Sequence, residues 1–173
     1  EKVVKSRADG VILFNNEEIE QEIELVNKYK IPSVVIGACV SSQYMGSIFV
    51  DSKKSAYDIV NEYLNRGQSD IAFVSPKQNL IKTDDMISGI VQAYQEHNLT
   101  FDTDKQIIHT STHYEKSYPQ FLEYFKTHKH DVVFTGYDKE AVAVVNAAID
   151  NGIQIPEDME VIGMMNTSYA LIC

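Results

Sequence analysis

His128 and His130, one residue apart, are the closest the chain comes to a metal-binding pair. A zinc site needs three or four converging ligands, and two imidazoles in a turn ahead of a strand read more simply as solvated surface. His97, His109 and His113 stand singly with no nucleophile beside them. Asp51 and Asp138 each directly precede a helical pattern, where a carboxylate caps free backbone N–H groups and meets the positive end of the helix dipole. That capping role accounts for both without general acid or base work, and Asp84-Asp85, at a helix start, has the same explanation. No G-x-G-x-x-G follows a strand, and Walker A, G-x-S-x-G, H-E-x-x-H and C-x-x-C patterns are all missing. Hydrolase, cofactor-dependent and metal chemistry therefore lack their usual residues, and neither a cofactor nor a metal is expected.

The elements that position these residues alternate. Val11–Phe14, Val34–Ile36, Ile48–Val50, Ile71–Val74, Ile107–Ile108, Val132–Phe134 and Val161–Ile162 are continuous apolar runs, as expected of strands covered on both faces. Between them, Ala56, Ile59, Val60, Tyr63 and Leu64 follow an i, i+3, i+4, i+7, i+8 spacing and predict a helix ending at Gly67. Similar stripes run through 86–94, 118–125 and 141–149, and a helix over 17–29 turns Ile19, Ile23 and Val26 inward. Strand and helix alternating in this way indicate an α/β fold with parallel sheets. The rhythm breaks between Ile36 and Val50, where two strands are joined by a loop over 38–47, so a change of lobe is expected at Val50-Asp51.

With 173 residues, 44% of them hydrophobic, the chain is long enough to bury a core without metals or disulfides. Its two cysteines, Cys39 and Cys173, make no disulfide framework, and a reducing, cytoplasmic setting is the default. A formal charge of −10 withholds the basic footprint that a nucleic-acid backbone requires. No apolar run approaches the roughly 18 residues of a membrane span. In open α/β sheets ligands bind beyond the carboxyl ends of the strands. The residues to inspect there are Asn15, Asn16, Gly37, Asp51, Ser75, Tyr137, Asp138, Met164, Met165 and Asn166.

Three stretches resemble the bacterial transcription regulators of the lactose and galactose repressor type. Arg7-Ala8-Asp9-Gly10-Val11-Ile12-Leu13 is similar to R-x-D-G-I-I-L, with Ile31-Pro32 ahead of the next strand. Val50-Asp51-Ser52 through Gly67-Gln68-Ser69-Asp70-Ile71-Ala72-Phe73 resembles V-D-N, a helix and G-H-x-x-I-A-F. Asp138-Lys139-Glu140-Ala141 and Gly152 to Gly163 resemble D-x-x-A and G-x-x-I-P-E-D-x-x-V-I-G. The resemblance implies a two-lobed, periplasmic-binding-protein-like core of Rossmann-like parallel sheets with flanking helices. Residues 1–50 would be part of the N-terminal lobe and 51–173 the C-terminal lobe, with the helix-turn-helix headpiece absent. A small-molecule effector, a sugar or a less polar metabolite, or else a protein co-effector, would bias lobe closure. A homodimer would then present two headpieces to operator DNA, the exposed face of the helix over 82–97 with Ile87 and Val91 being a candidate contact.

The chain departs from that family where a sugar sits. Met86 stands where the resemblance places an arginine, Tyr137 where it places an asparagine, and Met165 and Gly37 where it places aspartates. Lys82 offers a donor at the pocket edge and Tyr114 an aromatic floor. The expected effector site is therefore Gly37, Lys82, Met86, Tyr114, Tyr137 and Met165, poorer in charge than a sugar site. A pocket shifted to a less polar ligand or a protein partner and a pocket that has lost ligand binding both fit these replacements. A solute-binding protein of a sugar transporter, built from the same lobes, is the alternative from another class.

Overall fold

The computed structural model describes residues 8–14, 19–76 and 81–171, without the side chains of residues 81 and 82. The expected helix start at 17, together with Asn15, Asn16, Cys173 and the side chain of Lys82, lies outside the described residues. The chain divides into two compact units, Glu1–Asp51 and Ser52–Cys173.

In the first unit, β1 (Val11–Phe14), α1 (Glu20–Tyr29), β2 (Ser33–Ile36) and β3 (Met45–Ile48) form a parallel sheet in the order β1-β2-β3. One face packs Val35 and Met45 against Ile19 and Val26 of the α1 segment. The third strand corrects the sequence reading. It starts at Met45 and ends at Ile48, and the Phe49-Val50 pair that prolongs the apolar run is exposed, at 46% and 68%. Pairing chose the register that buries Met45, to 3% exposure, opposite Ser33, over the one that follows the longest apolar run.

The second unit holds α2 (Ser52–Asn65), β4 (Ile71–Pro76), α3 (Ile81–Glu96), a short α4 (Thr103–Gln106), β5 (Ile107–Thr110), α5 (Tyr114–Tyr124), β6 (Val132–Thr135), α6 (Asp138–Asp150) and β7 (Glu160–Gly163), then a 3-10 turn at Ser168–Leu171. Its sheet is parallel throughout in the order β5-β4-β6-β7. Register sorts the core. Ile71 pairs with Val132 and Phe73 with Phe134, and these four pack with the α2 and α3 stripes. Ala72 pairs with Val133, and with Val74 they pack against α5 and α6. β4, central and covered on both faces, has all six residues buried, which is why its sequence is a run and does not alternate.

Gly89 fixes the approach of α2 to α3. A Cβ there would lie 2.1 Å from the Lys53 carbonyl oxygen, so only glycine lets the two backbones come this close. Ile87 and Val91 of α3 are half-buried and packed on the core, leaving only part of their surface for any further contact.

Candidate functional site

The sheet order places β5 on one side of β4 and β6 with β7 on the other, so the chain reverses direction across the sheet between β4 and β6. Such a switch leaves a crevice beyond the carboxyl ends of the strands. A cavity of about 370 Å³ lies there. Thr112 and His113 reach it from the end of β5, Tyr137, Asp138, Lys139 and Glu140 from the passage of β6 into α6, and Met165, Thr167 and Tyr169 from the segment after β7. A second hollow of about 220 Å³ shares Thr112, His113, Lys139 and Tyr169 and adds Tyr114, Glu115 and Val142. The larger volume falls within the range that holds a small molecule.

Asp138 organises one wall. It begins α6, yet its carboxylate does not cap that helix as the sequence suggests. It accepts hydrogen bonds from the Met165 N–H at 3.1 Å, from the Thr167 N–H at 2.5 Å and from the Thr167 hydroxyl at 2.7 Å. The loop after β7 arrives with unpaired N–H groups, and a buried carboxylate that satisfies three donors gains more than one capping its own first turn. Gly163 makes this possible, because a Cβ on it would lie 2.7 Å from Asp138 Oδ1. Burial pushes the Asp138 carboxyl up, and the Thr167 and Met165 bonds outweigh it and hold it below its usual range.

Glu140 is the opposite case. It is 1% exposed, and neither carboxyl oxygen has a hydrogen-bond partner among the described residues. Burial pushes it up to about 8, with the Tyr137 backbone pulling back slightly without reaching hydrogen-bond geometry. It is therefore mostly a neutral acid at pH 7. Burial also raises the Tyr137 phenol, and the nearby Glu140 adds to the effect.

Of the residues expected to meet the effector, Tyr137 and Met165 line the larger cavity and Tyr114 the smaller. Tyr114 stacks on Tyr118 at 5.5 Å, and its oxygen accepts from Asn146 at 3.0 Å. Met86 is not among the lining residues. It is 7% exposed and belongs to the core stripe of α3 with Ile90, Ala93 and Tyr94. Gly37 lies in the first unit, after β2, with φ of 108°. Lys82 sits in the first turn of α3, its side chain not described. Sequence reading missed Thr112, Lys139, Glu140, Thr167 and Tyr169 as lining residues. The D-K-E run directly after a strand was the available signal for two of them.

His130 also differs from the reading as solvated surface. It is buried, with Nδ1 2.8 Å from Asp70 Oδ1 and Nε2 2.7 Å from the Tyr124 hydroxyl. Both ring nitrogens are satisfied, which is what lets a histidine go inside. His128 stacks on the Tyr124 ring at 4.1 Å. Among the described residues no group of three potential ligands is placed to hold a metal ion.

A parallel α/β unit with a cleft at its switch point is a frame on which small-molecule sites are commonly built. The chain belongs to the family of periplasmic binding protein-like domains, whose model matches residues 60–173. It is 26% identical over 165 residues to catabolite control protein A of Staphylococcus xylosus, covering 95% of this chain and 50% of that protein. The chain thus spans about half the length of the curated relatives it matches. Among solved structures it superposes on a LacI-family sugar-binding transcriptional regulator from Escherichia coli complexed with phosphate. The TM-score is 0.85 at 18% identity, over 99% of this chain and 62% of that one. It also matches a transcriptional regulator CelR–cellobiose complex, with a TM-score of 0.72 at 17% identity over 98% and 52% of the two chains. The resemblance to the lactose and galactose repressor type is borne out, and these relatives favour a regulator's effector-binding core over a transporter component.

Proposed function

We propose that this chain is the effector-sensing core of a cytoplasmic transcriptional repressor acting on carbohydrate-related genes. The first unit is the N-terminal lobe fragment and the second the C-terminal lobe. A small molecule enters the cleft beyond β5, β6 and β7, biases lobe closure, and so changes how a homodimer holds operator DNA. The chain senses and carries out no reaction. Its charge of −10 assigns operator contact to a headpiece outside these residues. Two relatives are consistent with this, one described as sugar-binding and one in complex with cellobiose. The observation that carries the reading is the cleft at the switch point, with one wall tied down by Asp138.

The test uses the whole regulator that contains this chain and its own promoter fragment. A compound that stabilises the protein thermally should shift the DNA affinity in gel mobility titrations. Met165→Trp, which fills the cleft, should abolish that shift while leaving DNA binding intact. DNA affinity indifferent to every stabilising compound would overturn the proposal.

A further inference from the structure

The sheet of the first unit is covered on one side only. Register places Ile12, Val34 and Gly46 in one row and Phe14, Ile36 and Ile48 in the next, and the alternation of the strands turns both rows away from the face packed on α1. Ile12 is 66% exposed, Phe14 80% and Ile48 61%. No strand residue in these two rows is polar. A sheet that meets water alternates apolar with polar residues, whereas a parallel sheet is apolar on both faces because helices cover both. These strands have the sequence of a doubly covered sheet and the exposure of a bare one.

Among the described residues, the first unit sends its other apolar groups to the opposite side, where the α1 segment packs together with Ala38 and Val40 of the link between β2 and β3. The bare face measures roughly 10 by 13 Å, from strands about 4.8 Å apart that rise about 3.3 Å per residue. A helix with its side chains is about 10–12 Å wide, so about three turns of one helix cover it. A second copy of the chain fits it poorly, since a stable interface takes roughly 800 Å² from each partner, more than so small a face offers. Gly46 adds relief to the surface. A Cβ there would meet nothing within 4 Å, which leaves a notch beside Val34 for one large side chain. The curated relatives are about twice as long as the stretch they share with this chain, which covers 50% of the first, so proteins of this kind have further sequence from which a helix can come.

We infer that an amphipathic helix of the whole protein, from sequence outside residues 1–173, docks on this face, its apolar stripe lying on Ile12, Phe14, Ile36 and Ile48 and one large side chain filling the notch at Gly46. The inference stands apart from the cleft of the second unit and from whatever that cleft binds.

The test uses the whole protein that contains this chain. Phe14 is exchanged for the photoreactive p-benzoyl-phenylalanine, which keeps the ring and so leaves folding undisturbed, and cross-linked peptides are identified by mass spectrometry after irradiation. The expected product is a link within one polypeptide, from position 14 to a peptide outside residues 1–173 that carries apolar residues at i, i+3, i+4 and i+7. A link between two polypeptides, a link to a peptide inside residues 1–173, a linked peptide without that stripe, or no link at all would overturn the inference. Gly46→Glu gives a second readout. The new side chain meets nothing within the first unit, yet it should lower the melting temperature of the whole protein by at least about 5 °C by blocking the helix. An unchanged melting temperature would overturn the placement of the helix.

Discussion

Replacing Glu140 by Gln isolates the energetic consequence of a buried carboxyl that nothing pairs. In the unfolded chain this group titrates near 4.5, and in the fold burial pushes it up to about 8. The native state therefore holds a proton that the unfolded state has released, throughout that window. The contribution to stability is fully present below the unfolded value and is lost as pH rises, at about 1.4 kcal/mol per pH unit, levelling off above about 8. The whole window amounts to roughly 5 kcal/mol, and the interval from pH 6 to 8 to about 2 kcal/mol. Gln cannot ionise, so the variant lacks this slope. Its amide lowers absolute stability by a fixed amount that does not depend on pH and cancels in the comparison. Because the chain has no Trp, urea unfolding is followed by far-ultraviolet circular dichroism. Wild type should lose about 2 kcal/mol more than Glu140→Gln between pH 6 and pH 8. Stability curves that stay parallel within about 0.5 kcal/mol would refute the burial argument.

Three further outcomes are expected. Gly89→Ala forces a Cβ to within 2.1 Å of the Lys53 carbonyl and should destabilise the second unit by about 3 kcal/mol, read as a lowered urea midpoint. Asp138→Ala removes three hydrogen bonds and should cost about 2–4 kcal/mol, with hydrogen exchange rising at Met165 and Thr167 while the α2 and α3 amides stay protected. His130→Ala strands the Tyr124 hydroxyl and Asp70, for a loss of about 1–3 kcal/mol, and leaves binding at the cleft unchanged because the network adjoins the amino ends of β4 and β6.

Periodicity made the second unit readable. The stripe from Ala56 to Leu64 and the continuous run of β4 are each dictated by a face that must be buried, and burial leaves its period in the sequence. β3 was misplaced because Ile48, Phe49 and Val50 are apolar without being buried, at 61%, 46% and 68% exposure, so hydrophobicity carried no information there. The four-residue α4 and the 3-10 turn at Ser168–Leu171 are too short to show a period at all. Tyr137 and Met165 line the cavity, where the rule about strand ends places them. Tyr169 was not found, because a turn that no pattern announces brings it in. Met86 carries both readings in the sequence, an effector position by resemblance and a member of the stripe over 86–94, and the fold packs it with Ile90 in the core at 7% exposure.

The first turn of α6 does two jobs at adjacent residues. Lys139 lines the cavity, while Asp138, one residue earlier, holds the loop that brings Met165 and Thr167 to the same cavity. The three bonds to Met165 and Thr167 tie that loop to the same helix turn that carries Lys139. Two stretches of the cavity lining that lie far apart in the sequence thus share one anchor, and Gly163 leaves the room that the Asp138 carboxylate needs to provide it.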